Sequence, residues 1–120
     1  MSKLKIYEYS GCGTCKKAKK FLAENDVDHS LVPIRETPPS KTELSKMLKH
    51  YDGNIRKLFN TSGRDYKELK LSAKLPDMSN AEAIDLLATT GNLVKRPFVL
   101  TKMGGLVGFK EDEWKQLLAL

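Results

Sequence analysis

Two cysteines three residues apart, Cys12 and Cys15 in Cys-Gly-Thr-Cys, sit where an alternating segment gives way to a helical one. From Leu4 to Tyr9, the residues Leu4, Ile6 and Glu8 alternate with Lys5, Tyr7 and Tyr9, the period of a strand. Ser10 and Gly11 then turn the chain, and from Thr14 to Asn25 the positions Cys15, Ala18, Phe21 and Leu22 share one helical face. The pair therefore sits in a loop that opens a helix, where residues three apart bring their sulfurs within bonding reach.

At such a place the two thiols are unequal. Cys12, at the helix start, faces unsatisfied backbone N–H groups and the positive end of the helix dipole, which favour a thiolate. That makes Cys12 the expected nucleophile and Cys15, one turn in among apolar positions, the expected resolving thiol. Gly13 would keep the approach to Cys12 open, and the Thr14 hydroxyl would assist at the helix start. Two other readings stay open at this point. One is half of a zinc site, for which only His29 and His50 are at hand, at no ligand-like spacing, so no metal is expected. The other is a pair of unreactive, packed cysteines.

The rest of the chain places this loop in a fold. Asn25 and Asp26 break the first helix, and His29 to Ile34 reads as a second strand before Pro38-Pro39. Ser40 with Glu43 forms a capping box for a helix carrying Leu44, Met47, Leu48 and Tyr51 on one face, closed by Asp52-Gly53. Short helical pieces around the Ser62-Gly63 turn follow, and Ser79 with Glu82 starts another helix for which Gly91 reads as the stop. Residues from about 40 to 90 thus form a helical insert. Phe98 to Thr101 and Leu106 to Phe109 read as a hairpin joined through Gly104-Gly105, and Glu111 to Glu113 open a last helix with Trp114, Leu117 and Leu118 on one face. Strand, helix, strand, helical insert, hairpin, helix predicts an α/β chain. Its expected form is a mixed four-stranded sheet in a thioredoxin-like fold, one domain over the 120 residues.

Composition narrows the class. Hydrophobic residues at 40% and charged residues at 30% are ordinary for a globular domain, and no apolar run approaches the roughly 18 residues of a spanning helix. Met1 to Tyr9 lacks the apolar core of a signal peptide, so a cytoplasmic monomer is expected, in a compartment where paired thiols are more often catalytic or sensing than structural. The 21 basic residues against 15 acidic ones give a formal charge of +6, suited to an anionic substrate or acidic partner. Much of that charge, in Lys16, Lys17, Lys19 and Lys20, reads as a solvated helix face rather than a nucleic-acid site.

Three motifs together, Tyr9-Ser-Gly-Cys-Gly-Thr-Cys-Lys-Lys-Ala, Lys95-Arg-Pro-Phe and Gly108-Phe-Lys-Glu-Asp-Glu-Trp, resemble the arsenate reductase and Spx family along essentially the whole chain. Phe59-Asn-Thr-Ser-Gly is similar to its uncharacterised members. The resemblance implies that Pro97 is cis and that Arg96 approaches Cys12, where a guanidinium would stabilise a thiolate or a bound oxyanion. It implies no bound cofactor, and a glutathione, glutaredoxin or thioredoxin system as reductant. The three arginines of the glutaredoxin-coupled arsenate reductases fall here on Asn60, Arg96 and Phe109, so only Arg96 is retained and efficient arsenate reduction is not expected. Arg56 and Arg64 are the candidates to compensate. Spx-like members bind the C-terminal domain of the RNA polymerase α subunit through a glycine after the first insert helix, a place that Gly53 would occupy. The tail that Spx carries beyond the last helix is not expected here, which counts against the regulatory assignment.

Overall fold

In a computed structural model of the chain, the described residues are 4–9, 11–101 and 104–120. Strand β1 (Leu4–Glu8) leads into helix α1 (Gly13–Glu24) and returns as β2 (His29–Pro33), which lies parallel to β1 with Ile6 opposite Leu31. The insert holds α2 (Lys41–His50), a 3₁₀ turn at Ile55–Leu58, the short helices α3 (Arg64–Glu68) and α4 (Leu71–Lys74), and α5 (Asn80–Thr89). Strands β3 (Phe98–Thr101) and β4 (Gly104–Val107) and helix α6 (Glu111–Leu118) complete the chain. The sheet order is β2-β1-β3-β4, with β3 antiparallel to both β1 and β4. This is the mixed four-stranded, thioredoxin-like arrangement expected. Among the described residues, no helix is long and apolar enough to cross a membrane.

Period-two alternation sends neighbouring side chains to opposite faces of the sheet, and here both faces are covered. Ile6 and Val99 pack with Ala18, Phe21, Leu22 and Trp114 under α1 and α6. Tyr7 and Phe98 pack on the other face with Leu44, Met47, Leu58 and Leu87 of the insert. Tyr7 is therefore as buried as Ile6, and its hydroxyl donates to Glu43 Oε1 at 2.7 Å, joining the central strand to α2. Burial would push the Glu43 carboxyl up, but the Ser40 amide, the Tyr7 hydroxyl and Lys5 hold it below the ordinary carboxylate value.

Local signals place the helix ends. Both capping boxes form, Ser40 with Glu43 and Ser79 with Glu82. α1 and α2 end in Schellman turns whose left-handed residues are Asp26 and Asp52, with Val27 N–H on the Leu22 carbonyl and Gly53 N–H on the Leu48 carbonyl, each 2.9 Å.

Two expectations are corrected. α5 stops at Thr89 without a left-handed glycine, and Gly91 instead opens a 3₁₀ turn where a Cβ would collide with the Ile34 carbonyl oxygen. Its role is to let the chain entering β3 pass against the end of β2. The last strand covers Gly104–Val107 rather than Leu106 to Phe109, so Gly104-Gly105 lies inside the strand. A Cβ at Gly105 would come within 2.6 Å of Met47 Sδ, so the strand is bare where α2 packs on it. The residues joining the hairpin, Lys102 and Met103, lie outside the described residues, as does Ser10 of the expected first turn.

Gly91→Ala is expected to cost about 3 kcal/mol or more, since backbone has to move to admit the methyl group. Gly53→Ala, where φ is +79° but the surroundings are open, is expected to cost about 1 kcal/mol. Urea denaturation midpoints of the two variants check the order.

Candidate active site

The turn after β1 closes with the Cys12 N–H donating to the Tyr9 carbonyl at 3.0 Å, and the Cys12 carbonyl accepts the first helical bond of α1 from Lys16 N–H at 3.1 Å. Cys12 is thus the N-cap residue of a 12-residue helix. Its half-buried thiol faces backbone amides that have no helical partner. Burial pushes this thiol up, but the amide of Cys15, the Cys15 thiol, the amide of Thr14 and the Arg96 guanidinium together outweigh it and hold Cys12 below the ordinary thiol value. Cys15 is fully buried and pushed up to about 12 by that burial, an effect that the Tyr9 backbone opposes and that Cys12 and Glu8 reinforce. Both thiols are free. One site therefore holds one thiol prepared to ionise and a second kept protonated beneath it.

Arg96 reaches this place from the loop before β3, whose first residue, Phe98, pairs with Tyr7 of β1. The Arg96–Pro97 bond is cis, and the Pro97 carbonyl accepts from Gly108 N–H at 2.9 Å, tying the loop before β3 to the chain leaving β4. The Arg96 Nη1 donates to the Asn92 carbonyl at 3.3 Å, and its guanidinium lies 5.3 Å from the centre of the Tyr9 ring, with that of Arg35 at 5.0 Å. Beneath the site, Lys19 Nζ donates to the buried Glu8 carboxylate at 2.7 Å, so one of the helix lysines turns inward instead of lying on the solvated face.

Around Cys12 opens a cleft of about 460 Å³. Thr14, Arg96, Asn60 and Phe109 line it, so the three family arginine positions do converge, with a single guanidinium among them. Two cations missed in the sequence reading, Lys95 and Lys110, also line it, together with Tyr9 and Ser62. They stand beside the recognised motifs, but a lysine's position in a motif does not reveal which way it points. Neither Arg56 nor Arg64 is among the residues lining this cleft. Thr14 acts on Cys12 through its backbone amide rather than the expected hydroxyl. A Cβ at Gly13 would meet no atom within 4 Å, so packing does not demand a glycine there. Gly53 is exposed at the end of α2 and does not line the cleft. Among the described residues, no group of three or more His, Cys, Asp or Glu is placed to hold a metal, and His29 Nδ1 is engaged with the Val27 carbonyl at 2.9 Å.

The sequence profile of the ArsC family matches residues 7–117. The chain belongs to the ArsC family. Within that family, it is 44% identical over 113 residues to the uncharacterised protein YusI of Bacillus subtilis, an alignment covering 94% of this chain and 96% of YusI. The global transcriptional regulator Spx of Streptococcus pyogenes is 28% identical over 108 residues, covering 90% of this chain and 79% of Spx. Among solved structures, a crystal structure described as ArsC family related, from Bacteroides fragilis, superposes with a TM-score of 0.90 at 47% identity over 97% of this chain and 98% of that one. The thioredoxin-like fold of this ArsC family chain is shared over 97% of its length with that structure.

Arg96→Gln removes a positive charge beside the thiolate and is expected to slow alkylation of Cys12 by iodoacetamide at pH 7 about three- to tenfold. The rate measured across pH should show the midpoint of the Cys12 profile moving upward. An unchanged midpoint would mean that the helix amides alone set the thiol.

Proposed function

We propose that this protein is a thiol–disulfide oxidoreductase in which Cys12 is the nucleophile, Cys15 the resolving thiol and Arg96 the stabiliser of negative charge at Cys12. The observation that carries this reading is the opposed environment of the two sulfurs, one half-buried at the N-terminus of α1 and one fully buried a turn later. Membership of the ArsC family and the convergence of Tyr9, Asn60, Arg96 and Phe109 on one cleft support it.

The steps follow from the two thiols. The Cys12 thiolate attacks one sulfur of a substrate disulfide; the substrate S–S bond breaks as the Cys12–S bond forms, and the other substrate half leaves as a thiolate that takes a proton from water. Cys15 then attacks Cys12 Sγ, its proton passing to the departing second half, so that the mixed disulfide breaks and the internal disulfide forms. Two electrons have moved from the protein dithiol to the substrate. A glutathione- or thioredoxin-type thiol returns them and resets the pair. Gly13 and Thr14 shape the approach, and Pro97 holds the loop that carries Arg96.

Thiol titration by mass spectrometry across defined redox potentials tests the reading. The wild type is expected to pass from dithiol to internal disulfide, Cys15→Ser to accumulate mixed disulfides at Cys12, and Cys12→Ser to do neither. A wild type that forms no internal disulfide at any accessible potential contradicts the proposal. With one guanidinium where the arsenate reductases have three, arsenate turnover is expected to be negligible, and measurable turnover would overturn that argument.

A second reading, a redox-switched regulator that binds the C-terminal domain of the RNA polymerase α subunit, is favoured by one observation. Gly53 stands exposed beyond α2 with no atom within 4 Å of a Cβ placed there, an open surface at the position implied by the likeness to Spx. Co-purification with RNA polymerase that depends on the oxidation state of the cysteines would favour it over the oxidoreductase.

A further inference from the structure

The Cys12 cleft does not end at Lys95 and Lys110. These two residues and Val107 also line a second cavity, of about 300 Å³, that continues away from Cys12 between the insert and β4. Arg56 and Lys57, from the 3₁₀ turn of the insert, add two more cations, over a floor that includes Tyr51 and Phe59. Along the two cavities run five cationic side chains, Arg56, Lys57, Lys95, Arg96 and Lys110, against the single carboxylate of Glu113. Of these five cations, among the described residues, only Lys110 has a carboxylate within ion-pair reach, Glu113 at 3.8 Å.

We propose that the substrate presented to Cys12 is an oxidised cysteine within an acidic polypeptide segment, whose neighbouring residues lie along this groove toward Arg56 and Lys57. The inference rests on the oxidoreductase reading and names its substrate class. A small anion joined to Cys12 would engage Arg96, Lys95 and Lys110 and leave the second cavity and its two cations unused. A polypeptide spans both, placing carboxylates on the cations and apolar atoms on the partly exposed Tyr51. Strand addition at Val107 is not the means, because Val107 N–H already donates to the Tyr51 hydroxyl at 3.0 Å. Recognition is by side chains and charge. The chemistry is that of the steps above: the acidic peptide's S–S bond is the one Cys12 breaks, and Cys15 supplies the second thiol.

The test uses the cystine-linked dimer of an acidic peptide, the same peptide with Asn and Gln in place of Asp and Glu, and the small neutral bis(2-hydroxyethyl) disulfide. The wild type is expected to reduce the acidic peptide faster than its neutral counterpart, with the advantage shrinking as salt rises. The double variant R56Q/K57Q should lose roughly fivefold on the acidic peptide, as two exposed charge contacts would predict, and stay within about twofold on the small disulfide. Equal wild-type rates on the two peptides, or an equal loss of the variant on the small disulfide, overturn the proposal. Fluorescence anisotropy with a labelled, cysteine-free acidic peptide and the Cys12→Ser protein separates the two ideas. Binding weakened by R56Q/K57Q supports the groove even where no disulfide is reduced, a result that would overturn the oxidoreductase reading alone. Absence of binding overturns the groove.

Discussion

The N-terminus of α1 is the constraint on which the rest of this molecule turns. A helix leaves its first amides without partners, and here the residue offered to them is a cysteine whose backbone is already fixed by the turn from Tyr9. A thiolate answers that need better than a thiol, so the same geometry that begins the helix also activates the sulfur. Burial works against ionisation at both cysteines. It is outweighed only at Cys12, where amides and a guanidinium converge. One turn further in, nothing comparable compensates for the desolvation of Cys15.

The sheet holds this arrangement together because its two faces carry different loads. α1 and α6 pack on one face, with Phe21, Phe109 and Trp114 in edge and tilted ring contacts at 5.3 to 6.4 Å, while the Trp114 indole N–H donates to the Gly108 carbonyl at 3.1 Å. That bond fixes the segment leaving β4, which in turn holds the Pro97 carbonyl and so the loop carrying Arg96. The insert covers the other face and is tied to the same loop by the Phe59–Val94 bridge, with Asn60 N–H on the Leu93 carbonyl and Lys95 N–H on the Leu58 carbonyl, both 2.8 Å. Asn60, Ser62, Lys95 and Arg96 reach one cleft because these three segments are laced together.

Much of this was legible in the sequence where the signal is local. Capping boxes, Asp-containing helix ends, a strand of period two and a Cys-x-x-Cys opening a helix depend on neighbours within a few residues, and they fell where expected. Contacts between distant segments were not legible. Gly91 reads as a helix stop in any local window; only the passing Ile34 carbonyl explains it. Gly104-Gly105 reads as a turn, because the reason for a bare strand, Met47 of α2, is far away in the chain. The cationic lining followed the same rule. Arg96 was found through its motif, whereas Lys95, Lys110, Arg56 and Lys57 acquire meaning only when the insert folds back beside β4.

The central claim is a division of labour between two sulfurs in one helical turn, and ¹³Cβ chemical shifts of both cysteines, followed by NMR across pH in the reduced protein, test it most directly. The account predicts that Cys12 ionises first, below the ordinary thiol value, while Cys15 remains a thiol until the pH approaches about 12. Cysteines that titrate together near the ordinary value, or Cys15 ionising before Cys12, would contradict it.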